Sequence, residues 1–378
     1  MTTRARDGIV QPNHIYDDYV MVHEDDLDYL DSCLLSLGFS RNESEHAIYG
    51  RGSRTARLLV GVYIDDLVIT GNDKQEIARF KEEMKKLFCM SNLGLLSFYL
   101  GIEVKQEESG ITLSQAAYAM KILEKSGMVG CNPCQVPMEP RFKLSKVSTA
   151  PATDATEYRS VVGSLRYLVH TRPDIAYSVG YVSRFMETPT TEHLAAVKHI
   201  LRYVAGTRHF GCRYTRGTGQ AVMIGFSDSD MAGDVDTRKS TTGVLFFLGP
   251  NLISWQSMKQ KVVALSSCEA EYIAATTVAC QGIWLARLLG ELQSKEVEKI
   301  TLKVDNKSAI SLCKNPIFHD RSKHIDTRYH FIRRCVEDGR VEVDFIGTNG
   351  QLADILMKAL GRVKFQELRA AIGVVELQ

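Results

Sequence analysis

The chain has 378 residues, enough for two or three domains. Its composition, 44% hydrophobic and 24% charged, is that of an ordinary globular protein. That excludes wholesale disorder, a collagen-like repeat and a disulfide miniprotein. Lys and Arg number 46 against 45 Asp and Glu, a net charge of +1, so any nucleic-acid contact has to come from local patches. No run of about 18 apolar residues offers a membrane span. The opening MTTRARDGIVQPN lacks the apolar core of a secretory signal. An intracellular protein, cytoplasmic or nuclear and without a membrane partner, is expected. The nine cysteines are odd in number and scattered, which suits reduced thiols. Cys131 and Cys134 form one C-x-x-C without a second pair, which argues against zinc.

In chain order, residues 1–29 read as a polar leader followed by a densely acidic, solvated stretch. LDSCLLSLGF, from Leu30, reads as an amphipathic helix ending near Gly38. ARLLVGVYIDDLVITGN places the pair Asp65 and Asp66 between two β-type runs, a hairpin with carboxylates at its tip. KQEIARFKEEMKKLF is a charged helix, and LSFYLGIEVKQEESGITLSQ two strands around a Gly turn. EYRSVVGSLRYLVH and TEHLAAVKHILRYVAGT are helices, the second ending at Gly206. From residue 220 the order becomes three strands (AVMIGFSD, GVLFFLG, NLISWQS), a long helix (SSCEAEYIAATTVACQGIWLARLLGEL), a strand (ITLKVDN), helices (KSAISLC, HIDTRYHFIRRCVEDG), a strand (VEVDFIG) and a closing helix (QLADILMKAL). That order implies an α/β sandwich around a mixed five-stranded sheet.

Four acids stand where chemistry would want them. Asp228 and Asp305 end the first and fourth of these strands, and sites in open α/β sheets gather at strand ends. Glu271 lies in the first turns of the long helix and Asp354 in the last helix. Four converging carboxylates repel each other unless cations sit between them. Two divalent ions would balance the charge, and oxygen-only ligation suits Mg²⁺ or Mn²⁺. Each acid taken singly also has a structural role open to it: a strand end, a helix terminus or a cap. Glu269 and Glu271 compete for one place. Ser266-x-x-Glu269 fits a capping box, which favours Glu271 as the ligand.

The motifs FSDSDMAGDVDTRKSTTGVLFFLG, ISWQSMKQKVVALSSCEAEYIAA, LKVDNKSAISL, KHIDTRYHFIR and FIGTNGQLADILMKAL resemble the ribonuclease H domain of copia-type LTR retrotransposon Pol polyproteins. By that resemblance the catalytic, metal-binding acids fall on Asp228, Glu271, Asp305 and Asp354, and two Mg²⁺ (or Mn²⁺) ions are implied. Many ribonucleases H carry a His in the loop before the last Asp; here that loop is GTNGQLAD. Upstream, YIDD resembles the polymerase hairpin, so Asp65 and Asp66 are its remnant, and MSNLGLLSFYLGIEV resembles the segment after it. EYRSVVGSLRYL and TRPDIAYSVGYVSRFM resemble the tether between polymerase and nuclease. The resemblance runs from Leu30 to Arg362.

The resemblance implies a truncated reverse-transcriptase palm/thumb remnant, with a partial reverse transcriptase (the late palm and its YIDD hairpin) at 30–140 and thumb/connection helices at 141–219, followed by a ribonuclease H-like α/β (α+β) fold, a mixed five-stranded sheet flanked by helices, at 220–362. A tail follows at 363–378. The family's early palm strand with its third carboxylate, its fingers and its PRAW-like motif are not found. An internal deletion with a junction near Tyr29 is the expectation, and Asp17, Asp18, Asp25 and Asp26 follow no apolar strand that would make them replacements. Nucleic-acid contacts are expected from Arg238 and Lys239 within TRKSTT. Others are expected from Arg321, Lys323, Arg328, Arg333 and Arg334, five cations in fourteen residues. The functional expectation is cleavage of the RNA strand of RNA–DNA hybrids, without sequence preference. A non-catalytic nucleic-acid-binding remnant is the alternative, and RNA-directed DNA synthesis ranks third.

Overall fold

A computed structural model describes residues 24–53, 56–64, 66–88, 90–217, 222–295, 299–314 and 330–377, with residues 24–28 described by backbone alone. The chain forms two compact units. One comprises residues up to 96 together with 284–298; the other comprises 97–283 and 299 onward.

The first unit begins with α1 (Glu24–Ser36), six residues before the expected start, so residues 24–29 of the acidic stretch are helical rather than leader. Gly38, at φ +81°, ends that helix as only glycine does comfortably. Strands β1 (Ser40–Arg41), β2 (Ile48–Arg51), β3 (Leu58–Tyr63) and β4 (Asp66–Gly71) form an antiparallel sheet in that order, followed by α2 (Lys74–Leu87). The Asp73 carboxylate accepts from the amides of Gln75 and Glu76 and so caps α2. Leu30, Leu34, Phe39, Tyr49, Leu58, Val60, Phe80 and Met84 are buried in one core between sheet and helices. Full burial of each such side chain stabilises by roughly 1.5–3 kcal/mol.

The second unit opens with β5 (Phe98–Tyr99), β6 (Ile102–Glu107) and β7 (Gly110–Ser114). Four helices follow: α3 (Ala116–Lys125), α4 (Ala155–Leu168), α5 (Ala176–Val182) and α6 (Thr191–Gly206). Then come β8 (Phe210–Thr215), β9 (Met223–Ser229), β10 (Thr241–Leu248), β11 (Asn251–Lys259) and the long α7 (Ser267–Gln293), whose last turns belong to the first unit. The rest is β12 (Ile300–Val304), α8 (Lys307–Lys314), α9 (Phe331–Glu337), β13 (Val341–Phe345), α10 (Asp354–Met357), α11 (Arg362–Ala371) and β14 (Val374–Glu376). Two five-stranded sheets result, β11-β10-β9-β12-β13 and β14-β8-β7-β6-β5. The first is mixed: β9, β10 and β11 are antiparallel, and β9, β12 and β13 run parallel.

The expected boundaries do not coincide with the packing. Tyr158, Leu165, Val182 and Ile200, from before residue 219, share one core with Leu245, Phe247, Leu252 and Leu356 from after it. Residues 97–140, assigned to the polymerase remnant, belong to the second unit. The segment expected as a C-terminal tail packs into the body of the unit over its described residues 363–377: Phe365, Leu368 and Val374 are buried in the same core. The closing helix is a single turn, because Lys358 returns to extended backbone. Helix α7 is long and apolar enough to cross a membrane, a property not expected from the sequence. Its residues Ala270, Tyr272, Ile273, Ala274 and Val278 are buried in protein instead.

The TRPD run builds a buried polar network. Arg172 donates two bonds to Asp174, at 2.9 and 2.8 Å, and two more to the carbonyl and hydroxyl of Thr207. Tyr203 donates to Asp174 at 2.7 Å, and Arg369 in α11 donates to Tyr203. A guanidinium is tolerated in this interior only because its donors find partners.

Candidate active site

Parallel pairing of β12 with β9 aligns Val304 with Ser227, so Asp305 and Asp228 emerge side by side where the two strands end. Glu271, in the second turn of α7, meets them: Asp228, Glu271 and Asp305 each offer an oxygen, and these lie within 4.8 Å of one another. The Ser229 amide donates to both Asp228 Oδ1, at 2.8 Å, and Glu271 Oε1, at 3.0 Å. Asp354 opens α10 beside Asp228 and is ion-paired with Lys358. Asp228, Glu271 and Asp354 are buried; Asp305 is half-buried.

Burial pushes the Asp228 carboxyl well above the ordinary range, and the neighbouring acids Asp354, Glu271 and Asp305 push it further. Glu271 is raised chiefly by burial and also by Asp305. Asp305 is raised by burial and by Asp354. Asp228 Oδ2 and Glu271 Oε2 are buried without a hydrogen-bond partner. Buried acceptors without partners in a set of oxygen donors fit hard divalent cations such as Mg²⁺ or Mn²⁺.

Glu269 points elsewhere. Its carboxylate accepts from the Leu265 amide at 2.9 Å, and its own amide donates to Ser266 Oγ, closing the first turn of α7.

Three residues that frame the site were not singled out in the sequence. The buried Gln260 amide donates to Ser229 Oγ, Thr242 Oγ1 and the Ala270 carbonyl, tying β9, β10 and α7 together. Gln351 donates to the Ser227 carbonyl at 2.8 Å and fastens the loop before Asp354 to β9. Lys358 is the third. Gln260 and Gln351 belong to no pattern of spacing that sequence reasoning uses, whereas Lys358 stands four residues after Asp354, the spacing of a helical ion pair.

Gly243 faces Asp228 across the β9–β10 ladder. A Cβ there would lie 2.5 Å from the Ala353 carbonyl, so only glycine lets α10 approach this closely. Gly243→Ala is expected to cost about 1–3 kcal/mol by forcing α10 outward. Thermal denaturation measures it, and an unchanged midpoint would show that α10 can move freely.

The basic residues divide. Arg321, Lys323 and Arg328 lie outside the described residues. Arg333 is not a surface cation: it is buried, its Nε donates to the Leu312 carbonyl at 2.8 Å, and its guanidinium lies over the Tyr272 ring. Arg334 is exposed. Arg238 is exposed and left-handed at φ +56°, and Lys239 is half-buried. Their loop is pinned by Asp234, which accepts from the Thr237 amide and hydroxyl and pairs with Arg184 and Lys259. Burial opposes ionisation of Asp234, but these partners outweigh it and hold its pKa at about 2.

In the first unit Asp66 opens β4 at the exposed hairpin tip, paired with Tyr63. Asp65 lies outside the described residues, as do Asp17 and Asp18. Neighbouring Ile64 has φ +50°, a strained setting for a β-branched residue. Cys131 and Cys134 are half-buried, and Cys134 Sγ lies 3.6 Å from His199 Nε2. Among the described residues only the acid cluster brings three such ligand groups together.

Residues 27–140 match the family described as reverse transcriptase (RNA-dependent DNA polymerase). The chain belongs to the copia-type transposon Pol polyproteins. It is 41% identical over 346 residues to the retrovirus-related Pol polyprotein from transposon RE1 of Arabidopsis thaliana, covering 91% of this chain and 23% of that protein. It is 42% identical to the retrovirus-related Pol polyprotein from transposon TNT 1-94 of Nicotiana tabacum, covering 91% of this chain and 26% of that protein. It is 32% identical to the putative transposon Ty5-1 protein of Saccharomyces cerevisiae, covering 66% of this chain and 82% of that protein. The chain therefore spans about a quarter of the length of the two Pol polyproteins it matches.

Proposed function

We propose that the second unit is a metal-dependent nuclease that cuts the RNA strand of RNA–DNA hybrids, carried on a partial reverse transcriptase. The observation that carries this reading is the pair of orphaned, buried oxygens, Asp228 Oδ2 and Glu271 Oε2, within a cluster completed by Asp305. The sheet order β11-β10-β9-β12-β13 supports a ribonuclease H-like fold.

Asp228, Glu271, Asp305 and Asp354 would hold two Mg²⁺ or Mn²⁺ ions. Bound there, the ions would make water nucleophilic and stabilise the leaving oxygen of a phosphodiester. The protein's own contribution is orientation. The Ser229 amide fixes one oxygen each of Asp228 and Glu271, leaving the other oxygen of each without a hydrogen bond and free to take an ion. Gln260 and Gln351 hold the elements that carry the acids. Arg238, Lys239 and Arg334 bind the nucleic-acid backbone, which carries no sequence information.

The test is a hybrid labelled on either strand, incubated with the full chain and Mg²⁺. Cleavage of the RNA strand alone, abolished by chelator, is expected. Equal cutting in excess chelator, or none with Mg²⁺ or Mn²⁺, would overturn the proposal.

Arg334→Ala is expected to weaken hybrid binding and reduce the slope of log affinity against log salt by about one. Arg333→Ala is expected to lower the melting temperature instead, because it removes a buried packing partner of Tyr272. Salt titrations and melting curves of both variants separate the two roles.

A further inference from the structure

We infer that Lys358 is a tethered counter-ion of the acid cluster: its ammonium occupies Asp354 in the ion-free protein and has to be displaced before that carboxylate takes a divalent ion. This rests on the reading of the cluster as a divalent-ion site.

Lys358 stands four residues after Asp354, across the single turn of α10, and the two are ion-paired. The Asp354 side chain is 6% exposed and that of Lys358 is 41% exposed. The carboxylate is thus fixed inside the site, while the ammonium reaches it from the solvent side on a flexible stem. The charge of Lys358 also acts on Glu271 and Asp305. Asp228 Oδ2, Glu271 Oε2 and Asp354 Oδ1 are all buried without a hydrogen-bond partner, and only the last has the Lys358 ion pair.

One cation thus offsets four acids at one corner only. The remaining acceptors still call for ions, but recruiting Asp354 requires breaking its pair with Lys358. A half-exposed ammonium can swing into water without becoming a stranded buried charge. Lys358 therefore makes the ion-free state tolerable and weakens divalent binding at Asp354. It is a positioning residue, acting through Asp354.

The experiment is Mn²⁺ titration of the full chain, with free Mn²⁺ read by electron paramagnetic resonance, alongside ion-free melting curves. Lys358→Met keeps the apolar stem, and Lys358→Gln keeps length and polarity. Both are expected to bind the weaker Mn²⁺ about tenfold more tightly than wild type and to melt lower when ion-free. Lys358→Arg is expected to retain wild-type affinity. A purely structural lysine would lower melting in every state and leave Mn²⁺ affinity unchanged. Unchanged or weaker Mn²⁺ binding in Lys358→Met and Lys358→Gln, with wild type binding normally, overturns this inference alone. If the wild-type chain takes up no Mn²⁺, the proposed function falls and this inference falls with it.

Discussion

Asp228→Asn is expected to raise the melting temperature of the ion-free protein while removing at least about 10³-fold of hybrid cleavage, equivalent to ~4 kcal/mol of transition-state stabilisation. The two effects have one cause. Asp228 is buried against Glu271, Asp305 and Asp354, an arrangement that penalises its charge unless ions are present. Its folded-state pKa lies above the unfolded value of about 3.9, so the folded chain holds a proton that the unfolded chain releases. Stability from this group is complete below about pH 4 and is lost as pH rises toward the folded-state value. An asparagine cannot ionise, so the variant loses that slope and gains most at alkaline pH. Melting curves at pH 5 and pH 8, with and without Mg²⁺, check it. A variant that melts lower than wild type at pH 8 without ions would show that the carboxylate is not under strain. Wild-type cleavage by the variant would show that it is not a ligand.

Asp174→Ala is expected to be the most damaging substitution away from the site, costing roughly 3–5 kcal/mol by stranding the Arg172 guanidinium in the interior. Against a total stability of ~5–15 kcal/mol that is enough to unfold much of the second unit near 37 °C. The sign with pH is opposite to that of Asp228. Burial alone would raise Asp174, but the Arg172 pair and the Tyr203 hydroxyl outweigh it and hold the carboxyl below its usual range. Its contribution is therefore present above about pH 4 and lost as pH falls through the folded-state value. The double change Arg172→Met with Asp174→Leu should cost less than Asp174→Ala, since it removes both charges together. Urea unfolding of the single and double variants tests this. Equal midpoints for Asp174→Ala and wild type would show that water reaches Arg172.

Much of this architecture was legible because apolar periodicity is a strong signal. β9 to β13 and α7 are apolar runs bounded by polar turns, and they form where the sequence placed them. The three acids that converge do so because strand ends and the first turns of a helix are fixed by that same pattern. What the sequence hid was set by tertiary contact. β2 is a four-residue strand in a polar surround, stabilised by pairing with β3. β14 is three residues long and exists through its partner β8. Arg333 reads like its neighbour Arg334; only the packing of α9 against Tyr272 turns one inward and leaves the other in water. Gln260 acts through three bonds to distant elements, which composition cannot reveal.

The pairing of β14 with β8 sets an order on folding. The whole sheet from β9 to β13 is threaded between these two neighbouring strands. In an unfolded chain, bringing them together closes a very long loop, at an entropic cost that grows with the logarithm of its length. Folding the inserted sheet first shortens that loop to the distance between its two ends. On this entropic argument the acid-bearing sheet is expected to form first and the β8–β14 pair after it, so protection of the β14 amides in pulsed hydrogen exchange should lag that of β9 and β10.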